Sequence, residues 1–280
     1  MKQRNVCKKI FVQVAAVYAA CVLCRVFEYF CLRTDQTFIG EAFIHKLCGI
    51  GILCIALKLF SVSWRDIAFD DKNMVKNLCR GLVFGLAVFF VAYTAEILLS
   101  IARGNFSCIR LYVSSFAVNT NTGSETAFSF FLLCIAGNIL NVVMEEGVFR
   151  GFFQHILQQK FSFIAAAVIA SLLFGLWHIV SPIRSYYDGA LSINGLIANM
   201  SMLAITSALV GFKFALLTKI TGSLYMAMGD HFVNNTIVNL VHIMSESGAD
   251  ELLFVRITIA QSLSFAAVLV YYIRRKSELV

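Results

Sequence analysis

The chain has 280 residues, of which 59% are hydrophobic and only 14% are charged. Soluble domains carry about 25% charged residues, so this composition excludes an ordinary soluble protein and predicts a membrane protein. The formal net charge is +7, but no basic stripe with interleaved aromatic residues is present, so we do not expect nucleic-acid binding.

Eight apolar stretches are long enough to cross a bilayer as helices, which takes about 20 residues each. In chain order they cover residues 10–31, 43–62, 81–102, 126–153, 161–181, 195–218, 222–244 and 252–273. The first stretch is long and carries Arg25 and Glu28, so we expect it to remain as a span and not to be cleaved as a signal peptide. The sequence therefore predicts an all-α membrane protein of about eight transmembrane helices, with residues 1–280 forming a single membrane domain.

The distribution of basic residues predicts the orientation of these helices. An even number of spans places both termini on the same side of the membrane. With both termini in the cytoplasm, most Lys and Arg residues outside the spans also lie in the cytoplasm, as the positive-inside rule requires. The longest polar connection, residues 103–125, then lies outside, and its Asn-, Thr- and Gly-rich end at 119–124 predicts an exposed turn.

The fourth apolar stretch carries an unusual number of polar side chains. An ionisable group at the centre of a membrane helix costs at least about 2.5 kcal/mol, so such groups indicate function by default. Helical spacing places Asn138, Asn141 and Glu145 on one face. Glu146 and Arg150 are four residues apart and are predicted to form an ion pair, which leaves Glu145 facing a polar seam. The alternative is that the charged residues lie in a loop at headgroup level.

The fifth stretch ends with His178, its only ionisable residue before the connection to the next span. A lone histidine in an apolar helix is more often a packing residue than a functional one, and the adjacent Trp177 fits an interfacial position. A hairpin that turns near Lys160 nevertheless brings Glu145 and His178 level to within about one helical turn, at 1.5 Å rise per residue.

The seventh stretch holds an imidazole and amide cluster that packing alone does not explain. His231 and Asn235 lie one turn apart, on a face that continues toward Asn239 and His242. The charge of Asp230, directly before His231, would raise the proton affinity of that imidazole if it faces the site. The alternative explanation of the cluster is hydrogen bonding between helices.

These residue types in a dry cavity suit hydrolysis of an amide. Glu145 can act as the general base for a water molecule that His178 orients. His231 and Asn235 can donate hydrogen bonds to the developing oxyanion. The set Glu145, His178 and His231 is also a His₂Glu ligand set of the kind found in catalytic zinc sites. The sequence alone does not separate these two chemistries.

Three short motifs resemble those of the CAAX proteases and bacteriocin-processing enzymes. The segment EEGVFR at 145–150 is similar to the EExxxR motif of that family, FGLWH at 174–178 to its FxxxH motif, and HFVNN at 231–235 to its HxxxN motif. The family includes the type II CAAX prenyl endopeptidase of eukaryotes and many bacterial homologues. The resemblance covers residues 126–244, which would be the catalytic core.

The resemblance implies an intramembrane endopeptidase of about eight helices. It implies that Glu145 activates water beside His178, and that His231 and Asn235 stabilise the oxyanion. The supporting motif positions are Glu146 and Arg150. The implied partners are the lipid bilayer and a peptide or lipidated-protein substrate. Under a metalloprotease mechanism Zn²⁺ would be the cofactor, held by Glu145, His178 and His231; under the glutamate mechanism, which we favour, there is none.

The cellular role has several possible forms. Bacterial members of the family suggest peptide or bacteriocin maturation, or self-immunity, in a bacterial cell membrane. Two other classes of function remain open: an ion or solute pathway lined by the polar seam, and a non-catalytic membrane regulator or scaffold. No inverted repeat is evident, and the only proline is Pro182, which makes a transporter the weaker alternative.

Overall fold

The computed structural model describes residues 2–37, 42–114 and 124–275. This part of the chain is mostly helical. Its helices are α1 (Lys2–Phe27), α2 (Ile44–Leu59), α3 (Met74–Ala102), α4 (Phe128–Glu145), α5 (Gln154–Gln158), α6 (Phe163–Trp177), α7 (Val180–Tyr187), α8 (Ile193–Thr221), α9 (Tyr225–Leu240) and α10 (Leu253–Arg275). Two π-helical segments continue α1 and α4, at Glu28–Leu32 and Glu146–Phe153.

Six helical stretches of the described residues are long and apolar enough to cross a membrane. They are Lys8–Gln36, Met74–Ala102, Phe128–Gln158, Phe163–Tyr187, Ile193–Thr221 and Leu253–Arg275. The other two predicted spans correspond to α2 and α9, which have 16 residues each. At 1.5 Å per residue each is about 24 Å long, shorter than a hydrocarbon core of about 30 Å. A multi-pass membrane protein is therefore confirmed, while the count of eight spans and the side on which the termini lie stay predictions.

A small antiparallel sheet departs from the all-helical prediction. The connection predicted as an exposed loop contains β1 (Phe106–Leu111), which pairs with β2 (Val241–Ser245). The seventh predicted stretch, residues 222–244, therefore ends as a helix at Leu240 and continues as a strand. Residues 119–123 of the predicted turn lie outside the described residues. The β-branched and aromatic residues of both segments favour an extended backbone where the chain leaves the helix bundle.

The fourth and fifth predicted stretches form the expected hairpin. The helical segment Phe128–Gln158 runs into a short turn, and α6 returns beside it. The side chain of Ser162 caps α6 by accepting a hydrogen bond from the backbone N–H of Ala165 at 3.4 Å. The turn thus includes Lys160, as predicted, and the two arms of the hairpin carry the first two sequence motifs.

Glycine residues bring α3 and α9 into backbone contact. A Cβ atom added to Gly81 would lie 2.2 Å from the carbonyl oxygen of Met226, and one added to Gly229 would lie 2.6 Å from that of Leu78. There is no space for a larger side chain at either position. The two helices therefore approach each other closely, as helices with small residues do in membrane bundles. The spacing of Gly81 and Gly85 therefore indicates close helix packing. This packing holds α9, the helix that carries the third motif, against α3.

Candidate active site

His231 lies between the two adjacent glutamates of the first motif. Its Nδ1 is 2.8 Å from Glu146 Oε1, and its Nε2 is 3.5 Å from Glu145 Oε2. All three side chains are buried. The chain changes from α-helix to π-helix at Glu146. Because a π-helix has more residues per turn, neighbouring side chains diverge less, which allows both carboxylates to face α9.

Two further donors hold the Glu145 carboxylate. Asn141 Nδ2 donates to Oε2 at 3.1 Å, which confirms the polar face predicted along α4. Trp177 Nε1 donates to Oε1 at 3.0 Å. Trp177 is fully buried among the helices, so its indole contacts the protein interior, while its position at the membrane interface stays a prediction. An indole N–H needs an acceptor when it is buried, and the carboxylate is that acceptor.

The predicted ion pair between Glu146 and Arg150 is confirmed. Glu146 Oε2 and Arg150 Nε are 3.4 Å apart and buried. Arg150 Nε also donates to the carbonyl oxygen of Gly211 at 3.3 Å, and the guanidinium carbon lies 3.9 Å from the centre of the Phe174 ring. The first residue of the second motif, Phe174, thus stabilises the cation of the first motif through its π face. Gly211 leaves the space, since a Cβ atom there would lie 3.0 Å from Arg150 Nη2.

His178 stands where α6 ends and α7 begins, and the Pro182 noted in the sequence lies in the first turn of α7. The Nδ1 of His178 is 2.8 Å from the carbonyl oxygen of Phe174. A carbonyl oxygen can only accept, so Nδ1 carries the proton and Nε2 keeps a lone pair. The imidazole is within electrostatic reach of Glu145 and His231. Because Trp177 next to it contacts Glu145, the predicted equal depth of the two motifs is confirmed.

Asn235 lies one turn beyond His231 in α9 and is half-buried. Its Oδ1 accepts a hydrogen bond of 3.0 Å from Nδ2 of its neighbour Asn234. Within the described ranges, no hydrogen bond joins Asn235 to Glu145 or Glu146. The structure therefore brings Glu145, Glu146 and His231 into direct contact and places Asn235 one turn farther along the same helix.

Two residues of the seventh stretch lie away from these carboxylates. Asp230 Oδ2 is 2.7 Å from Lys213 Nζ of α8, and both groups are buried, so this carboxylate neutralises a lysine instead of acting on His231. His242 is in β2 and not on the helical face predicted for it. Its Nδ1 is 3.1 Å from Asp250 Oδ2, and its ring stacks on Tyr112.

The first two helices contribute side chains that the motifs do not include. The Arg25 guanidinium lies 4.4 Å from the centre of the Trp177 ring, and the His45 ring centre lies 5.6 Å from it. Glu28 accepts hydrogen bonds of 2.6 Å from the Nδ1 and the backbone N–H of His45. Arg25 and Glu28 are ionisable residues inside an apolar stretch. Like those of the fourth stretch, they could have been recognised from the sequence as candidates for the site.

Glu145, His178 and His231 are also the residues of the predicted zinc site. In the part of the chain that the structure describes, no group of three or more His, Cys, Asp or Glu side chains is arranged to hold a metal ion. The Nδ1 of His231 is bound to Glu146, and the Nδ1 of His178 is bound to a carbonyl group. These bonds leave Nε2 as the ring nitrogen of each histidine that could bind a metal, as in many zinc sites. Zinc held by Glu145, His178 and His231 therefore stays a prediction for a metal analysis.

A comparison with known families gives a match in this part of the chain. Residues 127–237 match a family model described as type II CAAX prenyl endopeptidase Rce1-like. The match runs from the residue before α4 into α9 and contains all six predicted site residues, which confirms the resemblance carried by the three motifs. Comparison with curated proteins gives no match.

Proposed function

We propose that the protein hydrolyses a peptide bond at or within the membrane, since residues 127–237 match the family model described as type II CAAX prenyl endopeptidase Rce1-like. One observation carries the proposal. A buried glutamate with two fixed donors, Glu145, faces a histidine that a second glutamate orients. Such an arrangement in the interior of a membrane protein suits acid–base chemistry. Helix packing alone does not require these ionisable groups.

The proposed reaction begins with a water molecule beside Glu145. The carboxylate takes one proton from this water, and the free Nε2 of His178 accepts a hydrogen bond from its other O–H group. The water oxygen then bonds to the carbonyl carbon of the substrate. When the C–N bond breaks, the proton held by Glu145 passes to the leaving amine, which gives a carboxylic acid and a free amine. The acid then gives its proton to the amine, so the final products are a carboxylate and an ammonium group.

The oxygen of the scissile carbonyl becomes negative in this step and needs donors. His231 and Asn235 lie one turn apart in α9, and the proposal assigns them this role. A carboxylate oxygen only accepts, so the Nδ1 of His231 carries the proton that faces Glu146. Nε2 is then the ring nitrogen that would meet the oxyanion, and it donates to it when the imidazole is protonated on both nitrogens. Each fixed donor of this kind contributes about 10²- to 10³-fold to kcat. Glu146 and Arg150 keep the histidine oriented and do not touch the reacting atoms.

We further propose that the substrate is a peptide or a lipidated protein that reaches the site from the bilayer. The setting we propose is a bacterial cell membrane, with peptide or bacteriocin maturation or self-immunity as the role. The proposed mechanism uses no metal. Zinc is the alternative, and the experiment below separates the two.

The test uses purified protein in liposomes with unmodified and prenylated peptides as substrates. Glu145→Gln keeps the size of the side chain and removes the base, so kcat is expected to fall by about 10²- to 10⁴-fold. The matched control is Glu125→Gln, an exposed glutamate that should keep wild-type activity. A Glu145→Gln protein that cleaves at the wild-type rate would overturn the proposal.

Metal analysis of the same preparations tests the mechanism. Zinc content is measured for the wild type and for Glu145→Gln, His178→Ala and His231→Ala. Near-stoichiometric zinc that all three substitutions remove would make these residues ligands and replace the glutamate mechanism. Active wild-type protein whose rate is unchanged by chelators and by added zinc supports the glutamate as the base.

A further inference from the structure

A chain of hydrogen bonds joins three helices to the amide of Asn235. Lys213 Nζ in α8 lies 3.1 Å from Gln261 Oε1 in α10. Gln261 Nε2 donates to Asn234 Oδ1 in α9 at 2.6 Å, and Asn234 Nδ2 donates to Asn235 Oδ1 at 3.0 Å. We infer that Lys213 and Gln261 are positioning residues that determine which end of the Asn235 amide is presented to the substrate. The inference rests on the proposed function, in which Asn235 is an oxyanion donor.

The donor and acceptor ends of every bond in this hydrogen-bonded series follow from its first residue, Lys213. An ammonium group can only donate hydrogen bonds, so the oxygen of the Gln261 amide must face Lys213. The NH₂ group of Gln261 then faces Asn234 and requires an oxygen there. The NH₂ group of Asn234 in turn faces Asn235 and requires its oxygen. The NH₂ group of Asn235 is left for the site, and an oxyanion needs a donor of that kind.

Lys213 is itself held firmly, which makes it a fixed end for the chain. Its side chain is 1% exposed. Besides Gln261, the ammonium contacts Asp230 Oδ2 at 2.7 Å and Ser264 Oγ at 3.1 Å. A buried lysine is costly in a membrane span unless it is paired, and Asp230 supplies the counter-charge. The positions of a charged pair and two amides, otherwise unexplained in an apolar bundle, are accounted for by the orientation of Asn235.

Two substitutions reverse the chain without changing the shape of a side chain. Gln261→Glu replaces the donor that faces Asn234 by a carboxylate oxygen, so Asn234 must turn its NH₂ group toward it and its oxygen toward Asn235. Asn234→Asp removes the donor to Asn235 directly and leaves Lys213 and Gln261 untouched. In both variants the NH₂ group of Asn235 donates to residue 234, and its side-chain oxygen faces the site. We expect kcat to fall by about 10²- to 10³-fold, as for the loss of one oxyanion donor, with KM and Tm close to wild type.

The matched control is Ser264→Ala. Ser264 is as buried as Lys213 and contacts the same ammonium group, but it is not part of the chain to Asn235. This variant should keep the kcat of the wild type. A loss of activity in Ser264→Ala equal to that in Gln261→Glu would mean that any disturbance of Lys213 has the same effect, and it would overturn the inference.

A double-mutant cycle separates positioning from a general structural role. If Gln261 acts only through Asn235, then Gln261→Glu causes no further loss of kcat in an Asn235→Ala protein. Additive losses would overturn the inference, as would loss of folded protein in both Gln261→Glu and Asn234→Asp. If Glu145→Gln abolishes activity while both reversing variants keep the wild-type kcat, the inference fails and the proposed function stands. If Glu145→Gln remains active, the proposed function fails and the inference fails with it.

Discussion

His231 Nδ1 lies 2.8 Å from Glu146 Oε1, so the histidine of α9 is oriented by the second glutamate of the pair. The first glutamate, Glu145, lies 3.5 Å from the other ring nitrogen. The two adjacent carboxylates therefore have different partners and different tasks. Glu146 also pairs with Arg150, which connects the histidine, the carboxylate and the guanidinium in one buried network.

The first prediction concerns the charge balance of this network. Arg150→Met removes the cation and leaves Glu146 as an unbalanced buried charge, which should destabilise the protein by about 3–5 kcal/mol. Adding Glu146→Gln removes the stranded charge and should restore part of the loss. The measurement is the thermal unfolding of both variants in detergent. The exposed Arg103→Met serves as the control and should unfold like the wild type. A double variant less stable than Arg150→Met would contradict the ion-pair interpretation.

A second prediction concerns the donor that the motifs do not include. Trp177→Phe keeps an aromatic ring in the core but removes the N–H group that binds Glu145 Oε1. A hydrogen bond to a charged group is worth about 1.5–3 kcal/mol, so the catalytic rate should fall by about 10- to 100-fold if Glu145 is the base. Trp64→Phe is the control, since Trp64 is 41% exposed. Equal peptidase rates for Trp177→Phe and the wild type would show that this bond does not matter for the reaction.

Much of the candidate site could be predicted because it depends on local spacing. The pair Glu146–Arg150 and the bond from Asn141 to Glu145 are both four-residue relationships, which a helical sequence displays directly. The meeting of α4, α6 and α9 was predictable from the unusual polar residues in each apolar stretch, since such groups need partners inside a membrane.

The contacts between distant segments could not be predicted in the same way. Nothing local indicates that Gly211 makes room for Arg150, or that Asp230 turns to Lys213 and away from His231. The change to a π-helix at Glu146 also escaped prediction, because helical periodicity assumes a constant number of residues per turn. The strand at His242 was missed because its apolar residues continue the pattern of the preceding helix.

A third prediction tests the close packing that fixes α9. Gly81→Ala places a methyl group where the carbonyl oxygen of Met226 lies, at 2.2 Å from the new Cβ atom, so α3 and α9 must separate. Overpacking of this kind costs about 1–3 kcal/mol. We expect a lower Tm together with reduced activity, because His231 moves with α9. Gly51→Ala is the matched control, since nothing lies within 4 Å of a Cβ atom at that position of α2. Indistinguishable Tm values for the two variants would contradict the backbone contact.

The last prediction concerns the ionic network that joins the small sheet to α10. Asp250 Oδ2 is 2.7 Å from Arg256 Nη2 and 3.1 Å from His242 Nδ1, while Arg256 Nη1 is 2.6 Å from Glu96 Oε2. Burial opposes ionisation of Asp250, but the hydrogen bonds from His242 and Arg256 outweigh it and hold the pKa below its usual value of 3.8.

The sign of the pH dependence follows from that lowered pKa. The unfolded chain binds a proton at Asp250 more readily than the folded protein does, so this carboxylate stabilises the fold above a pH of about 4 and progressively less as the pH falls through the folded-state pKa. Asp250→Asn should therefore lower the free energy of unfolding at neutral pH by about 1.5–3 kcal/mol, which is seen as a lower Tm. The difference in Tm from the wild type should shrink in acid. Glu246→Gln, in the same connection and exposed, is the control. Thermal unfolding as a function of pH is the measurement, and a difference in Tm that stays constant down to acid pH would show that the charge of Asp250 does not hold the network together.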